Sequence, residues 1–348
     1  MRVFHSPDSV RHAPSDYYRR GAIVAHPEQA QRYTLLYDAV VKAGHDVSVA
    51  GDRGLVPIQA VHDAGYLRFL ETAWSRRAEI PGLGTEIGSS HFARPQMSRR
   101  PDGLLGQIGY FMADTSTPIQ AGTWEAVYGA AQAAIAAGEH VAMGGARSAY
   151  ALCRPPGHHA YAASAGGFCF LNNTAIAARH VGRLLGGRVA ILDIDVHHGN
   201  GTQGIFYASD DVLTISLHAA PDNYFPFYTG YADESGDGAG AGFNINMPMP
   251  EGTSDAVWLD ALAKAAAKVR ECNPVALVVA LGFDASEHDP IGAFKITTGG
   301  FEAAAGVIAN LGLPTVLVQE GGYLSDVLAV NLVRFLAAFE AAQGGRGA

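Results

Sequence analysis

Short runs of apolar, largely β-branched residues recur through the second half of the chain. Continuous apolar runs of this length are typical of strands that are buried on both faces of a parallel sheet. We predict four such strands, at Arg188–Val196, Asp211–Leu217, Val275–Phe283 and Leu313–Glu320.

Apolar positions recur at helical spacing between and before these runs. In the segment 28–43, for example, Tyr33, Leu36 and Val40 fall on one stripe. The predicted helices are Glu28–Ala43, Trp124–Ala137, Asn172–Leu185, Ser254–Glu271 and Ser325–Ala342. Alternation of strands and helices at this spacing predicts an α/β fold with helices on both faces of a parallel sheet.

The stretch 81–118 interrupts this alternation and is rich in Gly, Ser, Arg and Pro. It is too long for an ordinary loop, so we expect it to have a functional or interfacial role. No change of composition divides the rest of the chain. We therefore predict one domain over residues 1–348, with a long insertion at about 81–118.

The segment ILDIDVHHGNG at 191–201 carries the strongest chemical signal. Side chains alternate between the faces of a strand, so Asp193, Asp195 and His197 would share one face. Two carboxylates and an imidazole on one side leave buried charge unless a cation joins them. The alternative is a strand end with solvated polar groups, and the pattern favours a divalent metal.

Asp284 directly follows the predicted strand Val275–Phe283. Sites in open α/β sheets form beyond the carboxyl ends of strands, where Asp195 and His197 are also expected. These three side chains would leave a coordination position open for water, as catalytic zinc sites do. Taken alone, Asp284 is explained equally well as a helix cap or turn residue.

Two further segments place reactive side chains after strands or on stiff turns. In RPPGHHA, His158 and His159 could form an acid–base pair, with Asp193 and Asn200 as their acceptors. In EGGY, the glycines permit a tight turn that brings Tyr323 to the same edge as a donor to an oxyanion. The alternatives are surface histidines and a core tyrosine.

Composition narrows the class of protein. Hydrophobic residues are 48% and charged residues 16%, which excludes a disordered or coiled-coil chain. A net charge of −9 argues against nucleic-acid binding. The three cysteines cannot build a disulfide framework. We find neither a signal peptide nor an apolar run of membrane-spanning length. We expect a soluble cytoplasmic protein without nucleic-acid or membrane partners.

Read in chain order, the distinctive segments are RPPGHHA, GGFCFLNN, DIDVHHGNGTQ, SLH, LGFD and EGGY. This set resembles the zinc-dependent histone deacetylase superfamily, from about residue 20 to residue 335. GQIGYF, AGTWEA and GYADESGDGAGAG are similar to the bacterial acetylpolyamine amidohydrolase-like members. The resemblance implies a three-layer, arginase/deacetylase-like α/β fold with a mostly parallel central sheet of about eight strands.

The resemblance also implies roles for individual residues. It makes Asp195, His197 and Asp284 the zinc ligands. It makes His159 the general base and then acid, beside His158, and Tyr323 the group that polarises the amide carbonyl. It lines the acyl channel with Gly167, Phe168 and Phe225. It adds a monovalent cation, potassium, at Asp193, Asp195, His197, Ser216 and Leu217.

We therefore predict a zinc-dependent amidohydrolase that acts on small N-acetylated amines of the acetylpolyamine type, as a homodimer or larger homo-oligomer. An acetyl-lysine deacetylase and a hydrolase of another small amide stay open. By alignment, Leu105 and Ser116 fall where the polyamine enzymes carry Glu, which weakens the case for a polyamine. A non-catalytic binding protein is disfavoured because the full residue set is present, and a two-manganese arginase-like site needs more carboxylates.

Overall fold

The computed structural model describes residues 1–94, 96–97 and 99–344. Its centre is an eight-stranded parallel sheet, and a separate antiparallel hairpin is formed by β2 and β3. The strands are β1 (Arg2–His5), β2 (Asp16–Arg19), β3 (Ala22–Ala25), β4 (Asp46–Val49), β5 (Ser148–Leu152), β6 (Val189–Asp193), β7 (Val212–Ala219), β8 (Asn244–Met249), β9 (Ala276–Leu281) and β10 (Thr315–Gln319). The order across the sheet is β4-β1-β5-β10-β9-β6-β7-β8. The predicted parallel sheet of about eight strands is confirmed.

Helices cover both faces of this sheet. They are α1 (Gln31–Lys42), α2 (Val56–Gln59), α3 (Ala64–Thr72), α4 (Leu104–Phe111), α5 (Thr123–Ala142), α6 (Asn173–Leu185), α7 (Asn200–Phe206), α8 (Asp255–Cys272), α9 (Thr298–Ala309) and α10 (Leu328–Gly344). Successive residues of β10 enter opposite cores: Val316 and Val318 pack under α5 and α6, and Leu317 packs under α1, α8, α9 and α10. In the described part of the chain, no helix is both long and apolar enough to cross a bilayer.

The strand β6 ends earlier than the sequence predicts. It stops at Asp193, so Asp195 and His197 lie in the loop that follows instead of sharing one strand face with Asp193. The reason is local: Oδ1 of Asp193 accepts the N–H of Asp195 at 3.1 Å, and Oδ1 of Asp195 accepts the N–H of His197 at 2.9 Å. These side-chain acceptors replace ladder bonds and turn the backbone.

The insertion 81–118 is more regular than expected. It contains helix α4, and Ile87, Leu104, Ile108 and Phe111 are buried in the core. The apolar spacing of that helix is masked in the sequence by Gly106 and Gly109. Gly109 is needed there, because a Cβ would lie 1.9 Å from the carbonyl oxygen of His91.

Four neighbouring strands at the middle of the sheet position the candidate site. These are β5, β10, β9 and β6, which lie side by side and run in the same direction. The segments RPPGHHA, EGGY, LGFD and DVHHGN follow their carboxyl ends. All the sequence motifs singled out for chemistry therefore meet at one edge, as expected for this class of sheet.

Candidate active site and metal centre

Three buried side chains converge at this edge. Suitable ligand atoms of Asp195, His197 and Asp284 all lie within 4.8 Å of one another. Nδ1 of His197 is 3.1 Å from Oδ1 of Asp195 and 3.1 Å from Oδ2 of Asp284. The ring of His197 is held by stacking on Tyr224, with centroids 4.9 Å apart.

The backbone fixes the orientation of both carboxylates. Oδ2 of Asp195 accepts the N–H of Gly321 at 2.8 Å, and Oδ1 of Asp284 accepts the N–H of Val196 at 3.0 Å. Each carboxylate therefore keeps its other oxygen turned toward the imidazole. Metal ligands held in place by such outer hydrogen bonds are typical of functional metal sites.

The electrostatics of this cluster favour a cation. Burial would lower the pKa of His197, but hydrogen bonds to Asp195 and Asp284 outweigh it and raise the pKa to about 9. Burial and the charge of Asp195 raise the pKa of Asp284. Two buried carboxylates this close together require a positive charge beside them. A donor set of two oxygens and one nitrogen fits a catalytic zinc ion with an open position.

Two glycines make room for this cluster. A Cβ at Gly282 would lie 2.1 Å from Oδ2 of Asp195, and one at Gly321 would lie 2.0 Å from Oδ2 of Asp284. The two motifs LGFD and EGGY therefore need glycine beside their functional residues. From the sequence, Gly321 is recognisable only as a turn residue, and Gly282 carries no signal of its own.

His158 lies beside the cluster and is held in a charged environment. Its Nδ1 is 2.9 Å from Oδ2 of Asp193, and its Nε2 is 3.7 Å from Oδ1 of Asp195. Burial would lower the pKa of His158, but Asp195 and Asp193 outweigh it and raise the pKa well above its ordinary value. Oε2 of Glu320, the first residue of the EGGY segment, accepts the backbone N–H of both Gly157 and His158, a role that the sequence does not indicate.

His159 has the opposite environment, although its ring centroid is only 4.0 Å from that of His158. Its Nδ1 donates to Oδ1 of Asn200 at 2.6 Å, since an amide oxygen can only accept. Burial and the neighbouring His158 and His197 hold the pKa of His159 well below its ordinary value. His159 is therefore neutral, and its Nε2 is an acceptor.

Tyr323 is buried but lines the same cavity as His159 and His197. Burial raises the pKa of its phenol well above the ordinary value, so the hydroxyl keeps its proton and can donate. The guanidinium of Arg32 lies over its ring, 4.7 Å from the centroid. Arg32 also donates to the carbonyl oxygens of Gly322 at 2.6 Å and Glu320 at 2.7 Å. This arginine lies in a predicted helix, and its role was not foreseen.

A channel with a volume of about 250 Å³ leads to these groups. Gly167, Phe168 and Phe225 line it, as predicted, although their roles remain predictions. Gly167 has φ +55°, and a Cβ there would lie 2.5 Å from Cδ2 of His159 and 2.8 Å from Cε1 of Phe225. Asp114 holds this wall by accepting the N–H of Gly167 at 2.8 Å.

The residues predicted for a monovalent cation come from the end of β6, the loop that follows it, and β7. Asp193 and Ser216 lie opposite each other in the register of β6 and β7, and Leu217 follows Ser216. Both carboxylate oxygens of Asp193 already have partners, the N–H of Asp195 and the ring of His158. Of the two positions flagged for specificity, Ser116 lines the channel, whereas Leu105 is 68% exposed and lies outside it.

Comparison with known proteins shows relatives along the whole chain. Residues 26–339 match the histone deacetylase domain. The chain is 44% identical to the acetylpolyamine amidohydrolase of Burkholderia pseudomallei, over 99% of this chain and all of that protein. It is 42% identical to the acetylpolyamine amidohydrolase of Mycoplana ramosa, over 97% of this chain and 98% of that protein.

A solved structure gives the same result for the fold. The crystal structure of the acetylpolyamine aminohydrolase from Burkholderia pseudomallei superimposes with a TM-score of 0.94, over 98% of this chain and 99% of that chain. Its sequence identity to this chain is 44%. The resemblance drawn from the motifs is confirmed: the chain belongs to the histone deacetylase family, which is zinc-dependent in general, and it is a hydrolase of amide bonds.

Proposed function

We propose that the chain is a zinc-dependent amidohydrolase that removes acetyl groups from small N-acetylated amines. One observation carries this proposal: the buried group of Asp195, His197 and Asp284 lies beside a narrow channel into which His159 and Tyr323 also project. The relatives from Burkholderia pseudomallei and Mycoplana ramosa, named for acetylpolyamines, support the substrate class.

The metal is assigned by its ligands. Asp195, His197 and Asp284 would hold a zinc ion, which would supply Lewis acidity toward an amide carbonyl and toward a water molecule. The aromatic rings of Phe168 and Phe225 bind the flat acyl group in the channel.

The chain's own groups then move the protons. Nε2 of His159 takes a proton from the attacking water, because this imidazole is neutral. The hydroxyl of Tyr323 donates a hydrogen bond to the carbonyl oxygen as that oxygen gains negative charge. A protonated histidine returns a proton to the amine nitrogen as the C–N bond breaks, so the products are acetate and a free amine. Asp193 and Asn200 orient His158 and His159.

The proposal includes features that lie outside the reaction itself. We place a potassium ion at Asp193, Asp195, His197, Ser216 and Leu217, supported by the opposed positions of Asp193 and Ser216.

We assign residues 1–348 to one catalytic domain with an insertion at about 81–118. We expect a homodimer or larger homo-oligomer, since Met97 and Leu105 leave apolar side chains exposed on that insertion. Three free cysteines support a cytoplasmic setting.

Acetate release from zinc-loaded protein tests the proposal. The substrates are acetylputrescine, acetylspermidine, an acetyl-lysine peptide and an uncharged acetamide. We expect hydrolysis of the small amides, with slower hydrolysis of the peptide. The absence of acetate release from all four would refute the proposed chemistry, and a clear preference for the peptide would replace it with lysine deacetylation.

A further inference from the structure

The mouth of the channel carries two arginines that the proposed chemistry does not use. Arg19 and Arg20 line the same cavity as His159 and Tyr323. They lie at the tip of the β2–β3 hairpin, where Arg19 pairs with Ala22. The hairpin therefore places two positive charges at the entrance of the channel.

The backbone at this tip has an unusual residue in its turn. Arg20 has φ +50° and Gly21 has φ +86°, so both central residues of the two-residue turn are left-handed. Asn and Gly are the residues that such a turn favours. An arginine in the first of these positions is unfavourable for the turn itself, so the turn chemistry does not explain its presence.

The charges of Arg19 and Arg20 act on a side chain of the channel wall. Tyr17 lines the cavity together with the two arginines. Burial raises the pKa of the Tyr17 phenol, and the guanidinium groups of Arg19 and Arg20 oppose that rise. A charged group on a substrate in this part of the cavity would therefore feel the same two charges.

One acidic group faces these two positive charges. Asp114 is the one carboxylate among the described residues that line the cavity. Its oxygens accept from the N–H of Ser116 at 2.8 Å, the hydroxyl of Ser116 at 2.6 Å and the N–H of Gly167 at 2.8 Å. Across the parts of the chain that the structure describes, neither arginine forms an ion pair.

We infer that Arg19 and Arg20 determine specificity, and that they favour N-acetylated amines with a carboxylate at the end remote from the acetyl group over acetylated diamines. This inference rests on the proposed function. A carboxylate can accept paired hydrogen bonds from a guanidinium, whereas a terminal ammonium is repelled by it.

Three substrates of equal chain length isolate the remote charge: 4-acetamidobutanoate, N-butylacetamide and acetylputrescine. They end in a carboxylate, a methyl group and an ammonium group. We expect kcat/KM to fall in that order at low ionic strength, with about tenfold between the first and the last, mostly in KM. Added salt should narrow the difference, because the mouth is open to solvent.

The variants Arg19→Glu and Arg20→Glu test the assignment. Each kcat/KM is expressed relative to the same variant's value for N-butylacetamide, which corrects for any general loss of activity. We expect each variant to reverse the order, so that acetylputrescine becomes the better charged substrate. The control Arg183→Glu changes the net charge equally on the exposed end of α6, outside the channel, and should leave the order unchanged.

Three results would count against the inference or its basis. Preference for acetylputrescine in the unmodified protein overturns the inference and leaves the proposed function intact. Preference for 4-acetamidobutanoate that survives both variants overturns the role of the two arginines. Failure to hydrolyse all three compounds, including the uncharged one, refutes the proposed function itself.

Discussion

Replacing Glu28 with Gln should destabilise the fold and disturb the site at the same time. Oε1 of Glu28 lies 2.8 Å from Nη1 of Arg32 and 2.8 Å from Nε of Arg154, and all three side chains are buried. Arg32 in turn holds the backbone at Glu320 and Gly322. A neutral amide would leave two guanidinium groups without a counter-charge in the interior.

The cost follows from this burial. Removing one partner of a buried ion pair typically costs about 3–5 kcal/mol, because the remaining charge is left uncompensated. Urea unfolding of Glu28→Gln should therefore show a loss in this range. The control is Glu271→Gln, whose carboxylate lies at the same distance of 2.8 Å from Nζ of Lys268 but in an exposed pair. It should cost less than about 1 kcal/mol.

The pH dependence gives the same prediction a second test. Burial would raise the pKa of Glu28, but Arg154 and Arg32 outweigh it and hold the pKa below its ordinary value of 4.5. A lowered folded-state pKa adds stability that is present above 4.5 and is lost as the pH falls through the folded-state value. The difference between wild type and Glu28→Gln should therefore be largest near neutrality and shrink in acid. A difference that grows in acid, or a cost equal to that of Glu271→Gln, would refute this reasoning.

Three further predictions concern the reaction and its metal. Tyr323→Phe should lower kcat by about 10²–10³ with unchanged zinc content by elemental analysis; full turnover would remove its role as donor. Gly167→Ala places a Cβ 2.5 Å from Cδ2 of His159 and should abolish most activity. The control is Gly186→Ala, at a residue with φ +67° and no heavy atom within 4 Å of the added Cβ. It should cost only the backbone strain, a loss of about 1–2 kcal/mol in urea unfolding. A chelator should lower the Tm of the wild type, since zinc stabilises only the folded state. The Tm of Asp284→Ala should not respond to the chelator. An equal decrease in Tm for the wild type and the variant would place the metal elsewhere.

The positions of the site residues could be predicted because four motifs each follow a strand or a stiff turn. Parallel strands share their carboxyl edge, so Asp284, Tyr323 and Asp195 were expected at the same edge, and the adjacency of β10, β9 and β6 brings them close together. The order itself, with β10 between β5 and β9, depends on tertiary packing and leaves no periodic signal in the sequence. The chemistry of the edge is therefore predictable before the topology is.

The strands β4 and β5 are two of those that the four apolar runs do not predict, and the two omissions have different physical reasons. The edge strand β4, DVSV, is half exposed and too short to show alternation clearly. The central strand β5, SAYAL, is fully buried, but its alanines and serine have low strand propensity. Composition alone assigns neither segment, because burial in a sheet overrides the intrinsic preference of the residues.

The buried arginines show a further limit of sequence reasoning. Glu28 and Arg32 are four residues apart, which on most helices indicates an exposed pair of small energetic value. Here Glu28 lies ahead of α1, which begins at Gln31, and both side chains face the interior. Their importance comes from Arg154 and from the carbonyl oxygens of the EGGY turn, which only the folded chain brings to them.

The two adjacent histidines acquire different chemistry from partners that lie far along the chain. His158 faces the carboxylate of Asp193 at the end of β6, whereas His159 faces the amide of Asn200 at the start of α7. Burial favours the neutral form of both imidazoles, but Asp195 and Asp193 outweigh it and raise the pKa of His158, whereas the neighbouring His158 and His197 add to it and lower the pKa of His159. These different environments support the proposed role of His159 as the base, which the sequence indicates only through the family resemblance. Asp193, the proposed metal ligands Asp195 and His197, and Asn200 lie within eight residues, from the end of β6 to the start of α7, so one short segment sets the surroundings of both histidines.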